Sequence, residues 1–193
     1  MPKIAATEEQ VQRYLDMWST LDKYTMQEDC VNLLFQDLCN RNTGLVEILL
    51  KVSALNDFYS TNIYDTNSVA RHIHKLDIDA SLARGDLDLV ERMANVSFGG
   101  KIRRVYSFAT KYCSHHAPDV YPIYDSYVDE MLWFFQKKDR FAKFKRTDMK
   151  NFPVFVEIID QFRDYYGLSK FSRKQTDIYL WLSGKEHFPK YVA

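Results

Sequence analysis

Apolar residues recur at helical spacing along nearly the whole chain, and this periodicity is the strongest constraint on its fold. Thr7, with Gln10 three residues later, is predicted to cap a first helix. The apolar face of that helix holds Val11, Leu15, Trp18 and Leu21. The segment 44–59 is apolar nearly all round, which is typical of a central helix. Because no alternating pattern of useful length indicates a strand, the sequence predicts an all-α fold.

Capping residues and helix breakers predict where the other helices begin and end. The predicted N-caps are Asn67 or Ser68, Asp125 or Ser126, and Ser172. The predicted terminating glycines are Gly85, Gly167 and Gly184. One more helix is predicted over 101–116, where the apolar residues keep helical spacing until the segment "APDVYP" breaks it.

The length and charge of the chain limit its organisation and its partners. A chain of 193 residues suits a single helical domain over 1–193, or two small lobes that share a cleft. Lys plus Arg number 26, as do Asp plus Glu, so the formal net charge is zero. A neutral chain has no global basic field, so a nucleic-acid partner would have to be met by a local patch.

Cysteine and histidine spacings do not predict a metal site. The three cysteines are Cys30, Cys39 and Cys113, and the close histidine pairs are His72 with His74 and His115 with His116. Neither the cysteine spacing nor either histidine pair matches a metal-binding pattern, so we expect no metal and no cofactor. We interpret the cysteines as buried thiols in a reducing cytoplasm. No window approaches the roughly 18 apolar residues of a membrane span, so we also expect no membrane partner.

Asp125 lies in the segment "YPIYDSYVDEML" and has two compatible interpretations. It can cap the helix that follows, because a carboxylate accepts hydrogen bonds from free backbone N–H groups at a helix start. The apolar, proline-containing segment before it would also hold the carboxylate at a fixed place on the surface. A capping carboxylate in that position can face a ligand at the same time.

Two basic segments are candidates for binding phosphate. In "FGGKIRR", Gly99 and Gly100 precede Lys101, Arg103 and Arg104 at the predicted start of a helix. Glycines allow the backbone to approach a phosphate closely, although an ordinary turn with solvated cations explains the same residues. In 136–150, seven Lys or Arg outnumber two Asp, and Phe141 and Phe144 are interleaved. That pattern fits nucleic-acid binding or a solvated loop anchored by its phenylalanines.

Taken in chain order, these segments resemble the helix-hairpin-helix DNA glycosylase superfamily, which includes endonuclease III and 8-oxoguanine glycosylase. The matching segments are "SALND" at 53–57, "FGGK" at 98–101, "PIYDS" at 122–126 and "LWLSG" at 180–184. The resemblance covers roughly residues 44–184 and is closest to bacterial 8-oxoguanine DNA glycosylase-like proteins. It implies two small helical lobes around a cleft near 98–130.

By this resemblance the protein is a DNA glycosylase-like protein that flips a base out of the duplex. Asp125 would be the catalytic carboxylate, stabilising positive charge on the sugar while the N-glycosidic bond breaks. Gly99, Gly100, Arg103, Arg104 and Asn56 would contact DNA. The expected partner is a duplex containing a damaged or modified base, bound by a monomer in base excision repair.

The chain departs from the family at the lysine that forms a Schiff base in bifunctional members. Counting back 18 or 19 residues from Asp125 reaches Tyr106 or Ser107, and neither can form a Schiff base. Lys101 and Lys111 are the alternatives, ten residues apart on the predicted helix. Without a suitable lysine the enzyme would be monofunctional, with water as the nucleophile. The other function left open is a catalytically silent DNA- or protein-binding module of the same fold, in which Asp125 is only a cap.

Overall fold

The computed structural model describes residues 4–190, which are predominantly helical, as the sequence predicts. The first α-helices are α1 (Glu8–Ser19), α2 (Asp22–Asn32), α3 (Leu45–Phe58), α4 (Thr66–Leu76) and α5 (Asp79–Ala83). They are followed by α6 (Asp88–Ala94), α7 (Tyr106–His116), α8 (Ser126–Asp139), α9 (Phe152–Tyr165) and α10 (Arg173–His187). A π-helical segment, Leu33–Leu38, extends α2, and a 3-10 helix, Arg146–Lys150, precedes α9. None of the described helices combines the length and hydropathy that crossing a bilayer requires.

The chain divides into two compact units. The first unit is discontinuous and consists of Met1–Thr25 and Pro122–Ala193. In it α10 packs against both α1 and α8. Trp18, Tyr24 and Trp181 form an aromatic cluster with ring centroids 5.1 to 6.1 Å apart.

The second unit, Met26–Tyr121, is continuous. In it α3 packs along α4, and α6 packs along α7. The predicted central helix, α3, has fully buried apolar residues at Ile48, Val52 and Leu55, but also the fully buried Lys51. The helix is less buried than a central helix would be, because Val46 and Leu50 are 77% and 53% exposed.

Most of the predicted helix ends are confirmed. Thr7 Oγ1 accepts a hydrogen bond from Gln10 N at 3.2 Å, and Ser172 forms a reciprocal capping box with Gln175. Gly85 and Gly167 have positive φ angles of 65° and 67° just beyond α5 and α9. One predicted cap is wrong, because Asp65 rather than Asn67 or Ser68 caps α4, and its Oδ1 accepts from Ser68 N at 2.9 Å.

The predicted helix over 101–116 is wrong in its first five residues. Asn95–Phe98 (β1) and Lys101–Arg104 (β2) pair as an antiparallel hairpin, and the helix begins only at Tyr106. Gly99 and Gly100 have φ angles of 55° and 84°. Positive φ at both central positions is the requirement of a two-residue type I′ hairpin turn, which glycine satisfies without strain. The strands are too short to show a clear alternating pattern in the sequence.

The cysteine prediction is confirmed only in part. Cys113 is buried, whereas Cys39 is half-buried and Cys30 is exposed. Cys30 lies in α2, where Val31 is the only buried residue, because most of that helix is open to solvent. All three thiols are free.

Gly184 was predicted to end the last helix, but it lies within α10, three residues before the end at His187. A Cβ at this position would lie 2.8 Å from Tyr127 Cβ and 2.9 Å from Tyr127 O in α8. Glycine is therefore required here by the close approach of α10 to the first turn of α8, and not by a turn.

Gly184→Ala is expected to lower the free energy of unfolding by about 1 to 3 kcal/mol, the usual cost of overpacking. In a helix with open space the same substitution would stabilise by up to about 1 kcal/mol. Urea unfolding of parent and variant measures the difference. An unchanged or increased free energy of unfolding would contradict the packing of α8 against α10 at this residue.

Candidate functional site

Asp125 is the N-cap of α8 in the first unit, as predicted. Its Oδ1 accepts hydrogen bonds from the backbone N–H of Tyr127 at 2.7 Å and of Val128 at 3.0 Å. Among residues 4–190, no donor reaches its Oδ2. The side chain is half-buried. One carboxylate oxygen therefore fixes the helix start, and the other accepts no hydrogen bond from the described residues.

A polar network supports the first turn of α8. The Tyr124 hydroxyl donates to Asp129 Oδ2 at 2.8 Å, and Arg146 Nε donates to Asp129 Oδ1 at 2.6 Å. Arg146 Nη2 also donates to Glu130 Oε2 at 2.6 Å. Burial and the Asp129 carboxylate raise the pKa of the Tyr124 hydroxyl, so it stays a hydrogen-bond donor. The backbone that positions Asp125 is thus held from both sides of its helix start.

The basic residues after Gly100 lie on a β-strand and not at a helix start, so this part of the prediction is wrong. Lys101 and Arg103 are exposed on β2 of the second unit. Arg104 is bound by Glu91, with Nη2 donating to both carboxylate oxygens at 2.9 and 2.7 Å. Its guanidinium also lies 4.3 Å from the centre of the Tyr106 ring. The ion pair offsets the charge that Arg104 was expected to offer to DNA.

The two candidate lysines are not on the same helix, contrary to prediction. Lys101 is on β2, whereas Lys111 is buried in α7. Lys111 Nζ donates to Ser107 Oγ at 2.6 Å and lies 5.4 Å from the centre of the Tyr59 ring. Lys101 is therefore not part of α7, because β2 ends at Arg104 and the helix begins only at Tyr106.

Asn56 forms hydrogen bonds within its own unit. Its Nδ2 donates to Ile63 O at 3.0 Å, and its Oδ1 accepts from Thr61 Oγ1 at 2.8 Å and from Ile63 N at 2.9 Å. These bonds brace the loop between α3 and α4. Leu55, which precedes Asn56 in the segment "SALND", is fully buried.

A buried polar cluster in the second unit is centred on Lys51 of α3 and was not predicted from the sequence. Lys51 Nζ donates to the carbonyls of Cys39 and Arg41 at 2.9 and 3.0 Å and to Asn42 Oδ1 at 2.6 Å. Burial lowers the pKa of this ammonium from 10.5 to about 8. Lys51 therefore ties the segment 39–42 to the middle of α3.

His116 and Asp79 complete the Lys51 cluster. Asn42 Nδ2 donates to Asp79 Oδ1 at 2.6 Å and lies 3.2 Å from His116 Nε2. The same His116 nitrogen is 3.4 Å from Lys51 Nζ. Since Lys51 and Asn42 both present donors to it, Nε2 acts as an acceptor. The hydroxyl of Tyr112 donates to Asn42 Oδ1 at 2.6 Å and closes the network.

An open cavity of about 950 Å³ lies beside this cluster, and His116, Asp79 and Arg41 are among its lining residues. A histidine, a carboxylate and a guanidinium in the lining can orient a polar ligand. Within residues 4–190, no three His, Cys, Asp or Glu side chains are placed to hold a metal ion. The sequence signal for the cluster was a single lysine in the middle of the apolar segment 44–59.

His116→Gln is expected to flatten the loss of stability in acid. Burial and the Lys51 ammonium lower the pKa of His116 from 6.5 to about 3. Between these values the unfolded state binds the extra proton, so stability falls as the pH drops below 6.5. The parent should lose about 3 kcal/mol more than the variant between roughly pH 7 and pH 4.

Urea unfolding at several pH values between 4 and 7 measures this difference. Protonation of carboxylates contributes to both proteins and cancels in the comparison. Parallel stability curves for the parent and His116→Gln would show that the ring is not kept neutral by burial.

The fold and the site geometry define a predominantly helical protein of two units, with a capping carboxylate in the first and a buried lysine cluster in the second. The HI_0787_N family model, described as an N-terminal domain, matches residues 10–120, and the chain belongs to this family. An uncharacterized protein of Haemophilus influenzae is 46% identical over 150 residues, which cover 77% of this chain and 72% of that protein. No solved structure matches the chain.

Proposed function

We propose that the protein is a DNA N-glycosylase in which Asp125 is the catalytic carboxylate. The observation that carries the proposal is that the two oxygens of this carboxylate differ. Oδ1 caps α8, whereas no donor within residues 4–190 reaches Oδ2. The segment "PIYDS", which resembles the glycosylase motif, places Asp125 at that helix start. The polar network of Tyr124, Asp129 and Arg146 then fixes the backbone around it.

In the proposed reaction the bond between the sugar C1′ and the base nitrogen breaks, and its electron pair leaves with the base. The Asp125 carboxylate balances the positive charge that develops on the sugar. Water then supplies the hydroxyl group at C1′, and the proton that it releases goes to the departing base. Water is the proposed nucleophile because Lys111 Nζ is already donating to Ser107 and Lys101 lies on an exposed strand.

Asp125→Asn is expected to slow base excision by about 100-fold or more, the usual effect of losing such a group. Asparagine caps helices as well as aspartate does, so the free energy of unfolding should change by less than about 0.5 kcal/mol. The measurement uses duplexes that each carry one damaged or modified base, with abasic sites revealed by alkaline cleavage.

Asp65→Asn is the matched control, because Asp65 is also an N-cap aspartate whose carboxylate accepts from a backbone N–H. It should retain the parental excision rate. Borohydride treatment should trap no covalent complex, since water is the nucleophile. Equal excision by the parent and Asp125→Asn would remove Asp125 from the chemistry, and no excision of any base would end the proposal.

The hairpin favours a second candidate, a DNA- or protein-binding module without chemistry. Gly99 and Gly100 form a β-turn instead of a phosphate-binding helix start, and Glu91 neutralises Arg104. Such a module would bind duplex DNA or a protein partner equally well as the parent and as Asp125→Asn, and would release no base.

A further inference from the structure

A second candidate site lies in the first unit, at the C-terminal end of α8. The last turns of this helix and the segment 140–144 line an open groove of about 460 Å³, which we call the basic groove. Its side chains combine cations with aromatic rings. They include Trp133, Gln136, Lys137, Arg140, Lys143 and Phe144.

The cations of the basic groove are not neutralised. Within residues 4–190, no carboxylate lies within 4.0 Å of Lys137, Arg140 or Lys143. All three side chains are exposed, and the groove lining contains no Asp or Glu. Other arginines of the same unit are paired, as Arg146 is with Glu130 at 2.6 Å and Arg173 is with Asp160. In a chain of zero net charge, three unpaired cations in one groove make a local positive field.

The wall of the basic groove is held in a fixed shape. Gln136 Nε2 donates to Ala142 O at 2.7 Å, and Ala142 N donates to Gln136 Oε1 at 3.2 Å. Phe141 is only 7% exposed and packs against Phe162 with ring centroids 5.4 Å apart. Arg140 ends α8 with a φ of 52°, a left-handed conformation that glycine would adopt at lower cost. The segment is therefore anchored from both sides while its cations stay in solvent.

Trp133 and Phe144 supply the aromatic surface of the basic groove. Their rings meet edge to face with centroids 6.3 Å apart, and both side chains are half-buried. A planar base gains stacking energy on such rings. An acidic peptide would use the cations but would gain nothing comparable from the rings. The combination thus favours a phosphate next to a planar base.

We propose that the basic groove binds single-stranded nucleic acid, with backbone phosphates held by Lys137, Arg140 and Lys143 and one base against Trp133. A single strand fits because its base faces are uncovered, whereas those of a duplex are stacked on one another. The groove is also open to solvent. This site is separate from Asp125, and the inference does not depend on glycosylase activity.

The test uses a fluorescein-labelled ten-nucleotide oligo-dT and fluorescence anisotropy at a series of salt concentrations. The triple variant Lys137→Ala, Arg140→Gly, Lys143→Ala should bind at least about tenfold more weakly. Its plot of log affinity against log salt should lose about 0.7 in slope for each phosphate contact removed. Trp133→Leu should weaken binding by about 5- to 100-fold with the salt slope unchanged.

The matched control is Lys23→Ala, Arg71→Ala, Lys75→Ala, which removes three exposed cations elsewhere. It should bind the oligonucleotide as the parent does, and circular dichroism melting should show that all variants are folded. Equal weakening by both triple variants would reduce the effect to overall charge and overturn the inference. Binding that neither groove variant weakens would overturn it as well.

Competitors distinguish the chemistry of the ligand. An abasic oligonucleotide of the same length should compete more weakly than oligo-dT, because it has no base to stack. Equal competition by ten-residue polyglutamate would indicate an acidic-peptide site, and equal competition by thymidine monophosphate would indicate a small-nucleotide site. Either result would overturn the inference. Excision and oligo-dT binding are measured separately, so a failure of the proposed excision chemistry remains distinguishable from a failure of the groove.

Discussion

The close approach of α10 to the first turn of α8 is the contact on which the candidate site at Asp125 depends. Gly184 leaves room for the Tyr127 backbone, and any side chain there would push the two helices apart. At the same turn, Asp125 accepts two backbone N–H groups. Packing thus fixes the position of the helix start, and the cap fixes its direction. The candidate catalytic carboxylate is positioned by the forces that begin the helix.

Helix α8 carries both candidate sites of the first unit at opposite ends. Asp125 is at its start, and Lys137 lies about 18 Å along the axis, at 1.5 Å per residue. The two ends suit different chemistry, because backbone N–H groups are free at the start and carbonyl groups at the end. A carboxylate at the start and lysines in the last turn both complement the helix dipole. Residues that stabilise α8 are therefore the same ones that carry the charges of the two candidate sites.

The parts of the structure that the sequence predicted correctly are those decided by near neighbours. The caps at Thr7, Asp125 and Ser172 need only the next three residues, so a short pattern identifies them. Gly184 has the same local appearance as a helix-ending glycine, yet its role is set by Tyr127, 57 positions away in the sequence. Distant contacts of that kind leave no periodic signal.

The candidate sites, too, depend on distant contacts that the sequence does not reveal. The two glycines of "FGGK" fit a loop before a helix as well as a β-turn, and strands of four residues are too short to decide between them. Lys51 interrupts an apolar segment, which indicates a special role, but its partners come from 39–42 and from α7. The sequence shows that such a residue is unusual and does not show what it contacts.

Local pairing explains how a neutral chain can still present a basic surface. Carboxylates neutralise Arg104 in the second unit and Arg146 in the first, and both pairs brace secondary structure. A count of cations along the sequence therefore overestimates the positive charge that the hairpin can offer to an anion. In 136–150 the same count does not separate the paired cations from the unpaired ones. The basic groove brings three cations to one surface, because Lys137, Arg140 and Lys143 all line it and have no carboxylate within 4.0 Å in residues 4–190. A cation that is paired with a carboxylate has little net charge left to attract an anion. Unpaired cations that lie close together therefore mark the surface where an anion is attracted most strongly.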